Sequence, residues 1–176
     1  FLAKYDADGN VLWATDYGSN STDWGRDLAV DDDGNVYMCG EYEGDGIYFD
    51  AITLINETGG NTFLAKFDND GNTIWAHKGE ADYANALSLT LDEDGSAYVT
   101  GSFAYENIDF DGVILSNAGE LTYSEFYLVK YDSEGAVIWA HSASGSAQEE
   151  GRGIAIDSNG NICIAGFYIS QICDFG

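Results

Sequence analysis

The chain repeats itself, and that constrains its fold more than anything else in the sequence. Phe1-Leu2-Ala3-Lys4-Tyr5-Asp6 returns as Phe63-Leu64-Ala65-Lys66-Phe67-Asp68 and as Tyr127-Leu128-Val129-Lys130-Tyr131-Asp132, at offsets of 62 and 64 residues. Each copy runs through a glycine turn to a tryptophan: Trp13, Trp75 and Trp139. A second block keeps step as Leu28-Ala29-Val30-Asp31, Leu89-Thr90-Leu91-Asp92 and Ile154-Ala155-Ile156-Asp157. Turns ending at Gly34, Gly95 and Gly160 follow, then the apolar runs 36–40, 97–101 and 162–166. A third echo sets Phe49-Asp50 against Phe110-Asp111, with Asp174-Phe175-Gly176 as a shortened counterpart. The 176 residues hold about 2.8 copies, divided as 1–62, 63–126 and a truncated 127–176.

Each unit reads as four short strands rich in β-branched and aromatic residues, for example 27–31, 35–40, 62–67 and 72–76. No stretch sustains a 3.6-residue period, so few helices are expected. Six connections share one design, as in Asp6-Ala7-Asp8-Gly9 and Asp31-Asp32-Asp33-Gly34. The opening Asp can bond the backbone two residues on, and the closing Gly supplies a positive φ, which are the needs of a type I turn closing a hairpin. Four-stranded units of this length in tandem predict an all-β fold of β-propeller blades. In the phase expected, the chain holds two outer strands of one blade, two whole blades and the two inner strands of a fourth. The Trp-bearing strands lie outermost. A linear β-solenoid is the rival, but its repeats are usually much shorter.

The pattern F-L-A-K-Y-D-x-D-G-N-x-x-W-A, then L-A-V-D-x-D-G-N-V-Y-x-x-G, then F-D, resembles the SBBP repeat family of bacterial seven-bladed propellers across essentially the whole chain. That resemblance implies a secreted or cell-surface protein of the kind common in Bacteroidetes, often exported by the type nine secretion system. No single chemistry comes with the family, so the resemblance speaks to fold before function. Phe1 falls inside a strand-like run, so the chain is expected to be part of something longer, with the remainder needed to close the propeller.

Composition excludes several roles. Asp and Glu number 31 against 6 Lys and Arg, a formal charge of −25, so a nucleic-acid backbone would be repelled. The chain is 45% hydrophobic, unlike a disordered acidic tail, yet its longest apolar runs are about five residues, too short for a membrane span. Cys39, Cys163 and Cys173 show no CxxC spacing, which speaks against a zinc or redox site and leaves a Cys163–Cys173 bridge unsupported. No G-x-S-x-G, G-x-x-x-x-G-K or H-E-x-x-H occurs, and Asp174-Phe175-Gly176 matches the kinase triplet in letters only.

Function is expected on one face. The long connections, residues 16–24 and 41–61 and their counterparts, leave on one side of a propeller and all six Asp-rich turns on the other. The long connections vary between copies, and variable loops on a rigid scaffold are where binding usually lives. Trp24, Tyr42, Tyr83 and Tyr105, in or beside them, are the candidate contacts for a protein or glycan partner. Sequons at Asn20 and Asn56 fall in these connections.

The turns carry 13 of the 31 carboxylates, but the position five before each glycine is Lys, Ala or Thr, so turn chemistry accounts for them better than calcium does. No cofactor or metal is expected. Lys4, Lys66 and Lys130 share one repeat position and read as structural lysines, paired with the Asp two residues on. Trp13, Trp75 and Trp139 read as packing between blades rather than as sugar platforms. Arg26 and Arg152 share a position with Leu87, and His77 and His141 share one with Thr15. The reading is a non-catalytic propeller module for adhesion, partner or glycan binding, or display. The alternatives are a polysaccharide-active enzyme or its binding module, and a structural repeat of a filament or surface layer.

Overall fold

In the computed structural model the residues described are 1–117, 122–145, 147–169 and 173–174. Strands β1 (Leu2–Tyr5) and β2 (Val11–Thr15) pair as the outer hairpin of blade 1. Blade 2 is built in the order β3 (Asp23–Val30), β4 (Val36–Tyr42), β7 (Asn61–Phe67) and the first part of β8 (Thr73–Leu91). Blade 3 follows as the second part of β8, then β9 (Ala97–Phe110), β11 (Glu125–Tyr131) and β12 (Val137–Gly145). Strands β13 (Glu149–Ile156) and β14 (Ile162–Tyr168) form the inner hairpin of blade 4, and the short β15 (Cys173–Asp174) pairs with the end of β12. Every pairing between named strands is antiparallel, and the described residues contain no helix. The phase expected from the repeat is the one observed.

The Asp turns form as their residues dictate. Asp6 Oδ1 accepts from the backbone N–H of Asp8 at 2.9 Å and of Asn10 at 2.8 Å, and Gly9, at φ 84°, donates to the Asp6 carbonyl at 3.1 Å. Asp68 repeats the pattern with Asp70 at 2.9 Å and Asn72 at 2.8 Å. Each turn thus satisfies its own backbone donors.

The blades stack face against face, and β4 shows how. All seven of its residues are buried, because Val36 and Met38 face blade 1 while Tyr37 and Cys39 face blade 3. On the blade 3 side they join Leu64, Leu89, Val99, Tyr127 and Val129 in one apolar cluster. A third cluster sets Tyr98, Phe126 and Leu128 against Ile154, Ile156 and Ile162 of blade 4. The outer flanks are uncovered: Leu28 and Val30 on β3, and Ile164 and Phe167 on β14, are exposed. Open sheets of this kind are consistent with an incomplete propeller.

Two features depart from four short strands per unit. First, residues 41–61 are not a plain loop but carry a hairpin, β5 (Gly46–Phe49) and β6 (Ile52–Ile55), while in blade 3 the extension of β9 pairs with β10 (Val113–Ser116). This explains the Phe-Asp echo. Phe49 and Phe110 are buried at the hairpin ends, and Asp50 and Asp111 both take φ 50° in the turns. Second, the passage from blade 2 to blade 3 at residues 80–83 is not a loop: β8 runs through it without a break, paired there with β9 as Glu80↔Asp109 and Ala81↔Ile108. It is braced from the side, where Gly60 N–H donates to the Asp82 carbonyl at 2.9 Å and Ala84 N–H to the Gly60 carbonyl at 2.8 Å.

Inner strands carry a bulge. Arg26, Leu87 and Arg152 are the residues left unpaired in the register, opposite Gly40, Gly101 and Gly166. The unequal occupancy of that position is thereby explained, since a bulged side chain leaves the ladder and is free of its packing rules. Arg26 turns to Glu41, donating through Nε at 2.7 Å, and Arg152 to Glu150 at 2.8 Å.

Candidate functional site

The structural positions resolve into a clasp built within each blade and tied to the turn of the next, where Lys66 Nζ donates to the Ser133 carbonyl at 3.4 Å. Lys66 pairs across strands with Tyr37 on one side and Trp75 on the other, and Lys130 likewise with Tyr98 and Trp139. The ammonium of Lys66 lies 4.8 Å from the Tyr37 ring centre and that of Lys130 4.7 Å from Tyr98. The acidic partner is not the Asp two residues on. Lys66 reaches Asp31 at 3.6 Å and Lys130 reaches Asp92 at 3.2 Å, each the opening residue of its blade's inner turn. Residues two apart on a strand share a face, but Asp68 and Asp132 have left the ladder and spend their carboxylates on their own turns. Lys4 meets the side chain of Asn69 in blade 2 instead. The tryptophans complete the clasp from their own strand: Trp13 Nε1 donates to the Asn69 carbonyl at 2.9 Å and Trp75 Nε1 to the Ser133 carbonyl at 3.3 Å. Trp139 packs edge-on against Tyr98, its ring centre 6.0 Å away. Each of these side chains is thus engaged in packing, hydrogen bonds or ion pairs with its own blade or the next.

The candidate contacts do not stay together. Tyr42 is buried completely, closed over by the β5–β6 hairpin among Ile47, Phe49 and Phe63, and burial pushes its phenol up to about 12. It is a core residue, so the sequence-based expectation of a surface contact is corrected. Trp24 is 38% exposed on blade 2, beneath the Arg26 guanidinium at 5.5 Å from its ring centre, and is not among the residues lining the cleft of Tyr83 and Tyr105.

Tyr83 and Tyr105 do come together. They line one cleft of about 240 Å³ with Ala104, Thr122, Tyr123, Ser124 and Gln148. Tyr83, Tyr105 and Tyr123 are 48%, 46% and 39% exposed, large apolar rings left open to solvent. Tyr83 enters from the braced crossing of β8, its hydroxyl accepting from Asn85 Nδ2 at 3.3 Å. Ser124 is tied to blade 4 through its carbonyl, which accepts from Glu149 N–H at 2.8 Å. Gln148 Nε2 donates to Glu150 at 2.6 Å.

Register places each wall residue against its blade 2 counterpart. Glu43 N–H bonds the Thr22 carbonyl where blade 3 pairs Tyr83 with Ala104, so Tyr83 answers to Thr22 and Tyr105 to Gly44. The Gly60 and Ser124 carbonyls accept equivalent bonds, so Tyr123 answers to Gly59. Tyr105 also keeps the backbone of its glycine counterpart: φ is 69° at Tyr105 and 81° at Gly44. Tyr123 escaped sequence reasoning, although its alignment with Gly59 was there to be read.

Other chemistry is sparse. Glu125 and Glu149, which answer to Asn61 and Asp23 of blade 2, are each 1% exposed. His77 Nδ1 lies 2.7 Å from Asp111 and its ring packs on Trp75. Among the described residues no group of three His, Cys, Asp or Glu is arranged to hold a metal. Cys39 is buried and Cys163 exposed, both as free thiols, whereas the Cys173 side chain, Phe175 and Gly176 lie outside the described residues. Asn56, of the second sequon, holds the Gly59 carbonyl through its Nδ2 at 2.8 Å.

Comparison with known proteins agrees with this architecture. Residues 12–41 match the family described as SBBP, beta-propeller repeat, a segment that runs from the outer strand of blade 1 through the inner hairpin of blade 2. The chain is 26% identical over 197 aligned positions to the uncharacterized WD repeat-containing protein L264 of Acanthamoeba polyphaga mimivirus, covering 96% of this chain. It is 27% identical over 139 positions to the regulatory protein FlaEY of Caulobacter vibrioides, covering 76% of this chain. In both cases it spans 14% of the relative's length. Fold and match together describe an all-β chain of propeller-type blades that contains a beta-propeller repeat of the SBBP kind.

Proposed function

We propose that this chain is a non-catalytic binding module, displayed outside the cell on a secreted or surface protein, and that it works through its loop face. The contrast between the two faces carries the reading. On the turn face the copies are nearly identical, and the opening carboxylates are engaged by their own turns and, at Asp31 and Asp92, also by Lys66 and Lys130. On the loop face the copies diverge, and in blade 3 the divergence gathers three exposed tyrosines around one cleft. A feature that every copy shares serves the fold, whereas one found in a single copy is free to serve a ligand. The extracellular setting rests on the family resemblance. The uncovered flanks of β3 and β14 call for neighbouring blades as the module's first partners.

Deleting residues 41–61 would not test this, because Ile47 and Phe49 belong to the core. Surface substitutions do. In the intact protein, replacing Trp24, Tyr83, Tyr105 and Tyr123 by Ser is expected to abolish retention on a panel of glycans and cell-envelope proteins. Replacing Asp32, Asp33, Glu93 and Asp94 on the turn face is expected to leave it unchanged. The reverse pattern overturns the reading, and protease shaving of whole cells tests the location.

A further inference from the structure

The cleft of blade 3 identifies a ligand class. We propose that it binds an uncharged carbohydrate, one or two sugar rings at a time, with Tyr83, Tyr105 and Tyr123 as its stacking surfaces; this rests on the loop-face reading and makes it specific. Three independent observations lead there.

The first is charge. The chain carries a formal −25, yet among the described residues lining the cleft none is a carboxylate or a cation. An anionic ligand would be repelled by the whole surface. A cationic ligand would find carboxylates beside the cleft, at Asp82 and Glu106 next to Tyr83 and Tyr105, but none among the described residues that line it. Tyrosine faces offer apolar area to the C–H face of a sugar, while phenol, hydroxyl and amide groups from Tyr, Thr122, Ser124 and Gln148 offer bonds to its hydroxyls.

The second is comparison within the chain. Blade 2 folds with Thr22, Gly44 and Gly59 where blade 3 has Tyr83, Tyr105 and Tyr123. The fold therefore needs none of these rings. The third is backbone strain. Tyr105 holds φ 69°, in the left-handed region that its counterpart Gly44 occupies without a Cβ. A large side chain kept in such a conformation at the edge of a cleft marks a site where geometry serves something other than stability.

Size separates this from peptide recognition. About 240 Å³ lies below the roughly 300–1,000 Å³ of clefts that enclose drug-sized ligands, and an extended proline-rich peptide needs a longer aromatic groove. The experiment titrates the intact protein with neutral oligosaccharides (glucan, xylan, mannan and chitin fragments), with uronate oligomers and with a proline-rich peptide, following tyrosine fluorescence and calorimetry. Expected is saturable binding of at least one neutral oligosaccharide, weakened tenfold or more in both Tyr105→Gly and Tyr83→Ala. Tyr105→Gly restores the residue blade 2 uses, so its urea midpoint should confirm an intact fold. Neutral binding that survives both substitutions overturns the cleft assignment. Binding of only the uronates or the peptide, lost in the same variants, overturns the ligand class and leaves the loop face standing. Binding lost only in turn-face variants overturns both readings, and no binding of any probe overturns this one.

Discussion

The indole of Trp13 donates its Nε1 hydrogen to the main-chain carbonyl of Asn69, 2.9 Å away across the boundary between two blades. One repeat later Trp75 does the same to Ser133 at 3.3 Å. Because each acceptor is the second residue of an Asp-x-x-Gly turn, the turn that closes one blade's outer hairpin is also the socket for its neighbour's tryptophan. Trp75→Phe keeps most of the packing and removes the bond. It is expected to cost about 1 kcal/mol in urea unfolding, whereas Trp75→Ala costs about 3 kcal/mol or more. Equal effects would mean that the bond contributes nothing.

The lysines of the clasp are not equivalent in what they hold. Lys66 and Asp31 are mostly buried, at 11% and 14% side-chain exposure, whereas Lys4 meets the neutral Asn69 at an exposed edge. Removing one partner of a buried pair leaves the other charge uncompensated. Lys66→Met should therefore destabilise by about 3 kcal/mol and Lys4→Met by less than about 1 kcal/mol. Similar losses at both positions in denaturation would show that stem packing, not charge, is what matters.

These contacts also mark how far the sequence could be read. The six turns were legible because each is local: an Asp accepts from donors two and four residues on, and the letters alone specify it. The blade phase was legible because the Lys and Trp blocks keep one offset. The partner of Lys66 was not, since Asp31 reaches it only through the register of β3, β4 and β7. Nor was the continuity of β8 through residues 80–83, which depends on Gly60 arriving from the side. Tyr42 misled for the same reason: a hairpin counted as loop folds over it.

Acid should loosen the clasp in a definite direction. Burial opposes ionisation of Asp31 and Asp92. For Asp31 the side chain and backbone of Asn35 and the Lys66 ammonium outweigh it; for Asp92 the Ser96 backbone, the Tyr98 hydroxyl and Lys130 do. Both carboxyls are therefore held below the ordinary aspartate range. A carboxylate with a depressed folded pKa adds stability that is complete above its unfolded pKa, about 3.9, and disappears as pH falls through the folded value. The gap in unfolding free energy between wild type and Asp31→Asn should thus be widest at neutral pH, begin to narrow near about pH 5, and close in strong acid. Taking the difference cancels the relief of self-repulsion on a −25 chain. A gap independent of pH would dismiss the charge.

At the bulges, Gly40, Gly101 and Gly166 are required by close backbone approach. A Cβ at Gly101 would stand 1.9 Å from the Asn85 carbonyl oxygen, and at Gly40 the same distance from that of Trp24. Main chain cannot swing aside as a side chain can, so Gly101→Ala should cost about 3 kcal/mol in denaturant unfolding. Gly112→Ala, with open space around its Cβ but φ 93°, should cost about 1 kcal/mol from backbone strain alone. Equal losses would mean that the bulge can relax.

The last prediction separates strain from ordinary loss of a side chain. Glycine normally weakens a strand by roughly 0.5–1 kcal/mol because the unfolded chain gains freedom. Tyr83 lies in β8 beside a break in register but is not among the residues of positive φ, and should show that loss in Tyr83→Gly. Tyr105 is left-handed at φ 69°, where a residue with a Cβ is held against roughly 1–3 kcal/mol of conformational cost. Relief of that cost offsets the entropy, so Tyr105→Gly should be as stable as wild type or more so by up to about 1 kcal/mol. The reciprocal change, Gly44→Ala, meets φ 81° and places a Cβ 2.8 Å from both Asn20 Oδ1 and Ser21 Cβ, so it should lose about 1–2 kcal/mol. Urea midpoints of the three variants decide the matter. A Tyr105→Gly protein weakened as much as Tyr83→Gly would show that the tyrosine sits there at no cost to the fold, and the strain would cease to point at a ligand.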